Sequence, residues 1–279
     1  MSTGISHVAG SKRTTAQIVR ELWATRKILG VLIRRDLKLR YANSALGWVW
    51  TVLEPLMMAS IYWFVFTLIF HRSVGEEPYI IFLLAGLLPW FWFTNGLTKG
   101  SEALMDQRKL IRSTALPRQI WVLRSVGAKG SEFLLSIPVF VLFLLIYRPT
   151  FDSEMILIPL GIVLELILLT GLGLLLAPIM LLLRDVQPLV RIATRAMFYA
   201  SPVIYGFQDV MTAERIPQIF KYVYMINPLS GLMECYRSGF FPYQANYQAI
   251  GISAAVSVFT LVVGWFVFKR LESRMLKEI

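Results

Sequence analysis

Apolar positions along this 279-residue chain gather into long blocks, and charged positions gather into the gaps between them. A helix that crosses a bilayer needs about 20 mostly apolar residues. Six stretches meet that requirement: 48–70, 79–97, 120–147, 155–183, 186–205 and 247–268. The first, fourth and last are the clearest. The third opens with Arg124 and Lys129, which places its first turns near the headgroups. In the fifth, Arg191 and Arg195 lie one helical turn apart, and only the second half is plainly apolar.

Ahead of the first block the pattern changes. Over 15–40, Ile18, Leu22, Leu29, Leu32 and Ile33 recur at helical spacing, while Arg20, Lys27 and Arg34 fall elsewhere. That pattern predicts an amphipathic helix lying in the membrane interface. After a turn at Asn43-Ser44-Ala45 the chain enters the bilayer at Gly47-Trp48. The expected organisation is a flexible N-terminus over 1–14, a cytoplasmic interface helix within 15–47, and a six-helix transmembrane domain over 48–279. The fold class is an all-α integral membrane protein.

Two connections are more than loops. Residues 101–118 are polar, basic and helix-prone, with Leu104, Leu110 and Ile111 as apolar points and Pro117 closing the segment. Residues 206–246 are too long for a connector and too apolar for a disordered loop. They predict two short helices, over 213–225 and 228–238, with Asn227-Pro228 at the turn because proline fits a first helical turn. Ile216, Ile219, Phe220, Val223 and Met225 would bury one face. Such a hairpin, dipping back into the outer leaflet, must be shielded by protein or line a water-filled cavity.

Composition agrees: 56% of residues are hydrophobic and 16% charged, against roughly 25% charged in a soluble domain. The net charge of +11 suggests nucleic acid until its placement is considered. With a cytoplasmic N-terminus, the 28 Lys and Arg residues all face inward except Arg72, Arg148, Arg215, Lys221 and Arg237. Both termini are then cytoplasmic, the charge lies beside an anionic inner leaflet, and no nucleic-acid partner is expected. The lone Cys235 excludes an intrachain disulfide and reads as a packing residue. No signal peptide is evident at the N-terminus.

Candidate chemistry is sparse. His7 and His71 have no partners at metal-ligand spacing. The glycine pieces Gly127-Ala-Lys-Gly130 and Gly171-Leu-Gly173 lack the length and the Lys-Ser/Thr end of a phosphate-binding loop. The chain therefore reads as no enzyme and binds no cofactor itself; Gly171 and Gly173 suit close helix packing. The carboxylates within the blocks, Glu54, Glu132 and Glu165, are scattered. Glu54 is expected to pair with Arg34 or Arg40 or to face an aqueous opening, and Glu165 has no evident partner. Arg34, Arg35, Lys38, Arg40 and Glu54 are candidates for a cytoplasmic mouth; leaflet attraction explains the cations equally.

Five motifs, in order and spacing, carry a resemblance: RRDLKLRYANSALGWVWTVLEPL (34–56), LLAGLLPWFWFTNGL (83–97), KLIRSTALPRQIW (109–121), LLLRDVQPLV (181–190) and INPLSGLMECYR (226–237). Over about residues 15–275 the chain resembles the type-2 ABC exporter permeases, specifically the Wzm-type subunit that exports lipid-linked polysaccharide; teichoic-acid permeases are close relatives. The resemblance implies a homodimer joined to two ATP-binding, Wzt-type subunits that carry the ATP and Mg. The interface helix and the 101–118 helix would contact those subunits, with Arg108, Lys109, Arg112, Pro117 and Arg118 in the coupling segment. The 206–244 hairpin would be an external gate, with Ile216, Phe220, Asn227, Pro228 and Arg237 in it. The dimer would surround a channel for a polyprenyl-pyrophosphate-linked glycan. Overall likeness favours a galactan of a mycobacterial-type cell wall, then O-antigen, then teichoic acid.

Ring faces can hold the C–H faces of sugars without tight hydrogen bonding, so a polymer can slide. Candidate channel residues are Trp63, Phe64, Phe70, Trp90, Phe198, Tyr199 and Tyr205. Four successive aromatics at 90–93 cannot all face a channel, and interfacial belts account for Trp48 and Trp50. One rival is a permease for a drug or small lipid, which needs only a narrower, more apolar path. Another is a membrane-embedded polyprenyl transferase, which needs paired acids for a metal; Glu102, Asp106 and Asp185 show no such pairing.

Overall fold

The computed structural model describes residues 14–42, 46–47, 49–69, 76–149, 151–241 and 244–278. Expectations for residues 1–13, the turn at Asn43-Ser44-Ala45, Trp48, Phe70, His71 and Arg72 lie outside the described residues. The described elements are all helical. They are α1 (Thr15–Ala24), α2 (Arg26–Tyr41), α3 (Val49–Trp63, continuing as a π-helical stretch Phe64–Ile69), α4 (Tyr79–Asp106), α5 (Arg108–Ser113) and α6 (Gln119–Tyr147). After a 3₁₀ turn (Ser153–Ile156) come α7 (Leu157–Leu182), α8 (Val186–Ala200), α9 (Phe207–Thr212), α10 (Gln218–Ile226), α11 (Pro228–Arg237) and α12 (Tyr247–Glu278).

Among the described residues, five helices are long and apolar enough to cross a membrane: Val49–Ile69, Tyr79–Asp106, Gln119–Tyr147, Ser153–Leu182 and Tyr247–Met275. The fifth block of the sequence differs. Its helix, α8, has 15 residues, about 22 Å of rise against a hydrocarbon core of about 30 Å. The chain nevertheless passes the whole bundle there. At one end Gln187 Nε2 donates to Glu102 Oε1 near the end of α4 (2.8 Å). At the other, the Tyr79 hydroxyl, on the first residue of α4, donates to the Ile204 carbonyl (3.0 Å). This pass begins as helix and finishes as irregular chain over 201–206.

The two ends of the bundle differ. One, the basic end, gathers α1, α2, α5, the start of α6 and the tail of α12: Arg124 Nε donates to Asp36 Oδ2 (2.6 Å), Arg118 to Glu272 (2.6 Å) and Lys269 Nζ to the Thr15 hydroxyl (3.1 Å). The described stretches nearest both chain termini thus share one end. At the other, the hairpin end, Asp152 N donates to Gly239 O and Ala245 N to Glu154 Oε2 (both 3.0 Å).

α4 is the central post, buried along most of its length. α7 packs against it and against α12. The expected role of Gly171 holds: a Cβ there would lie 2.5 Å from the Leu261 amide nitrogen, and one on Gly264 would meet the Gly171 carbonyl. Without side chains between them, α7 and α12 pack backbone to backbone.

Several boundaries differ from the sequence reading. The amphipathic stretch is two helices rather than one. Thr25 ends α1, its hydroxyl donating to the carbonyls of Glu21 (2.8 Å) and Leu22 (3.2 Å), and a capping box of Thr14 and Gln17 starts it. The 101–118 segment is not one helix: α4 runs unbroken to Asp106, leaving only the six residues of α5 as a separate element. The 206–246 segment holds three helices.

α11 is no loose cover. Leu229 to Arg237 are all buried, and a Cβ on Gly161 of α7 would come 2.9 Å from the Cys235 Cβ. Cys235 is a buried packing residue, as expected. α10 behaves oppositely. Ile219, Phe220 and Val223, expected to bury a face, are 65%, 63% and 60% exposed. Tyr224 packs on Phe207, but among the described residues nothing covers the Ile219, Phe220 and Val223 side of α10.

Candidate functional site

α3, α4 and α8 enclose a groove of about 370 Å³. Helical spacing puts its lining on one face of each element: Met58 and Tyr62 from α3, Leu87, Trp90, Phe91 and Thr94 from α4, and Thr194, Arg195, Phe198 and Tyr199 from α8. The rings form a connected row. Phe198 lies 5.3 Å from Trp90, 6.0 Å from Tyr62 and 5.1 Å from Tyr199, centroid to centroid. Tyr62 stacks on Phe66 (6.4 Å), whose edge meets Tyr79 (6.3 Å), so the row reaches the hairpin end. The threonine hydroxyls bond within their own helices, Thr94 to the Trp90 carbonyl (3.1 Å) and Thr194 to that of Val190 (3.0 Å). The groove therefore offers ring faces, methyl groups and one guanidinium, with no carboxylate among its lining residues. It is equipped for weak, sliding contact rather than bond-making.

Of the aromatics singled out from the sequence, the fold brings Trp90, Phe198 and Tyr199 together here. Tyr205 sits just beyond: its hydroxyl donates to the Tyr199 carbonyl (2.8 Å) and its ring faces Tyr224. Trp63 and Phe64 do not line the groove; they are 40% and 51% exposed. Successive helical residues are turned by about 100°, so an α3 that aims Tyr62 inward aims Trp63 elsewhere. Trp92 and Phe93 point into the core, Trp92 stacking on Phe133 at 4.8 Å. Sequence reasoning missed Met58, Tyr62 and Arg195. The i, i+4 repeat Met58, Tyr62, Phe66 was the available signal.

The irregular end of the fifth pass is held by Arg237 of α11, 1% exposed. Its Nη1 donates to the carbonyls of Pro202 (2.6 Å) and Tyr205 (3.1 Å), and its Nη2 to those of Val203 (2.6 Å) and Phe82 (3.4 Å). The guanidinium lies 3.6 Å from the Phe82 ring centroid. Gly86 makes the room: a Cβ there would lie 2.5 Å from Arg237 Nη2. Buried backbone that leaves a helix needs donors from elsewhere, and Arg237 supplies them. Asn227 adds to this, its Nδ2 donating to the Ser201 hydroxyl (2.8 Å) and the Ala200 carbonyl (3.1 Å) while its Oδ1 caps α11 at Leu229 N, with Pro228 in the first turn. Of the other expected gate residues, Ile216 is half-buried and Phe220 exposed. Glu165 has a partner after all: the Tyr236 hydroxyl donates to its Oε2 (2.7 Å). Burial pushes the neighbouring Glu234 carboxyl up, although it accepts from Asn246 N (3.0 Å).

At the basic end, Arg34, Arg35 and Lys38 are exposed on α2. Of the two expectations for Glu54, pairing with Arg34 or Arg40 or facing an opening, the structure shows no such pair among the described residues. Arg40 forms its ion pair with Glu132, which also accepts from Lys129 (2.9 Å). Glu54 is exposed, on the wall of a small polar pocket shared with these three groups. With the forked Arg124–Asp36 pair, this network fastens α2 along α6. In the coupling segment, Lys109 and Arg112 are exposed, Arg108 half-buried, Pro117 buried, and Arg118 committed to Glu272. Among the described residues no three His, Cys, Asp or Glu side chains gather as a metal site.

The family described as ABC-2 type transporter matches residues 28–241 of this chain. The O-antigen export system permease protein RfbA of Klebsiella pneumoniae is 32% identical over 248 residues, 88% of this chain and 93% of the relative. The protein of the same name from Myxococcus xanthus is 29% identical over 92% of this chain and 96% of its own length. The polysialic acid transport protein KpsM of Escherichia coli is 24% identical over 88% and 93%.

Proposed function

The chain belongs to the ABC-2 type transporter family, and we propose that it is the membrane permease of an ATP-driven exporter that carries a polyprenyl-pyrophosphate-linked polysaccharide out across the cytoplasmic membrane. The observation that carries this reading is the groove: connected ring faces along the fifth pass, with no carboxylate in the lining to arrest a sugar chain. The relatives' names support a polysaccharide cargo, and they move an O-antigen-type glycan ahead of the galactan that overall likeness placed first. Two copies would face each other across the path. Their exposed apolar surfaces, including α10, support such pairing or lipid contact. ATP and Mg belong to two partner subunits docked at the basic end, where α1, α2 and α5 gather. Both termini are then cytoplasmic.

The test is export in a strain lacking its own exporter, supplied with this chain, its ATP-binding partner and a lipid-linked glycan. Glycan should reach the cell surface only when both subunits are present and the ATPase is active. Glycan retained inside despite a stable, ATP-hydrolysing complex would refute the reading.

A further inference from the structure

Cations packed into the basic end are paired: Arg40 and Lys129 with Glu132, Arg118 with Glu272, Arg124 with Asp36. Arg191 and Arg195 on α8 are different. Both are exposed, and neither guanidinium forms a hydrogen bond or ion pair among the described residues. They sit four residues apart, hence on one face of the helix, where like charges repel and weaken it. Among the described residues, Arg195 is the only charged one lining the aromatic groove. A charge left unpaired on the wall of an otherwise apolar groove marks a place where an anionic ligand can supply the partner. A guanidinium presents a planar fork of donors that fits phosphate oxygens two at a time. Two such forks one turn apart suit two linked phosphates.

We propose that Arg191 and Arg195 form an anion subsite at the groove, and that they hold the diphosphate of an isoprenoid-linked substrate while its sugars lie against Phe198, Trp90 and Tyr62. This deepens the export reading and rests on it. It moves anion recognition from the exposed cations of α2 to the wall of the groove itself. The same phosphate chemistry is present in bilayer headgroups, so the test must separate the two sources.

Purified protein in phosphatidylcholine nanodiscs is titrated with undecaprenyl diphosphate, and in parallel with undecaprenol, which lacks the phosphates. Wild type should bind the diphosphate roughly tenfold or more tightly than the R191Q/R195Q double variant, since charge-assisted hydrogen bonds are lost. Both should bind undecaprenol alike. R191K/R195K, which keeps the charge without the fork, should fall between, and it keeps the test open if the glutamine variant fails to fold. Equal diphosphate affinity in wild type and a folded double variant overturns the proposal. So does the finding that phosphatidylglycerol discs abolish the wild-type preference while wild type alone retains that lipid, which would assign the arginines to bilayer phosphate. If wild type binds undecaprenol but not the diphosphate, the lipid-linked substrate reading itself is at fault, and this inference falls with it.

Discussion

Arg237 shows how far one side chain can set the shape of a path. The sequence reading placed it outside, against the positive-inside tendency. The structure gives the reason for the exception: it serves backbone carbonyls, not a leaflet. Arg237→Ala would strand several buried carbonyls, each costing about 1–3 kcal/mol, and should sharply lower the melting temperature in detergent. Arg237→Lys cannot reach the same set with one ammonium and should fall between. Gly86→Ala, which intrudes on Nη2, should mimic the loss; wild-type melting in that variant would contradict the clamp. Cys235 gives a second test. Burial pushes its thiol up to about 12, and the side chain is fully enclosed, so thiolate is scarce near neutral pH. Maleimide should label it slowly in the folded protein and quickly in denaturing detergent. Rapid labelling of the folded form would show that α11 opens.

Among the elements, the long spans were legible because a block of about 20 apolar residues has few other uses. α8 was legible only in part. Its 15 residues are too few to cross alone, and the chain that completes the pass is held by Arg237 and Asn227, distant in sequence, which no local pattern reveals. The hairpin was legible in its second helix and its Asn227-Pro228 turn, but not in which helix is covered. α10 and α11 carry similar apolar spacing, yet only α11 finds a socket among α4, α7 and α12, and spacing cannot say which face is taken. In the groove, sequence supplied the richness in aromatics but not the rotation of α3 that selects Tyr62 over Trp63. Tyr62→Ala and Phe198→Ala should therefore lower export several-fold at constant membrane abundance, while Trp63→Ala has a smaller effect. The reverse order, read from surface glycan per unit of permease, would place the path elsewhere. At the basic end, α5 keeps Lys109 and Arg112 on the surface while Arg118 is tied to α12. K109E/R112E should weaken ATPase recovery with the permease and leave its melting unchanged. Full recovery of the complex would remove α5 from the coupling surface.

At the scale of the molecule, the basic end and the hairpin end divide the work. The basic end gathers the described stretches nearest both termini, the ion pairs that lock α2 to α6, and the exposed cations suited to a motor subunit. The hairpin end gathers buried α11 and the broken fifth pass. The aromatic groove runs between them, and the proposed path of the glycan follows it. The most direct measurement places a photo-reactive benzoyl-phenylalanine at Phe198, and separately at Trp63 or Trp92, in exporting cells that are then irradiated. A glycan-bearing permease adduct should form from position 198 and not from the core position 92, with position 63 weak. Continued export with no adduct from position 198 and strong capture at position 63 would show that the glycan does not pass along the groove.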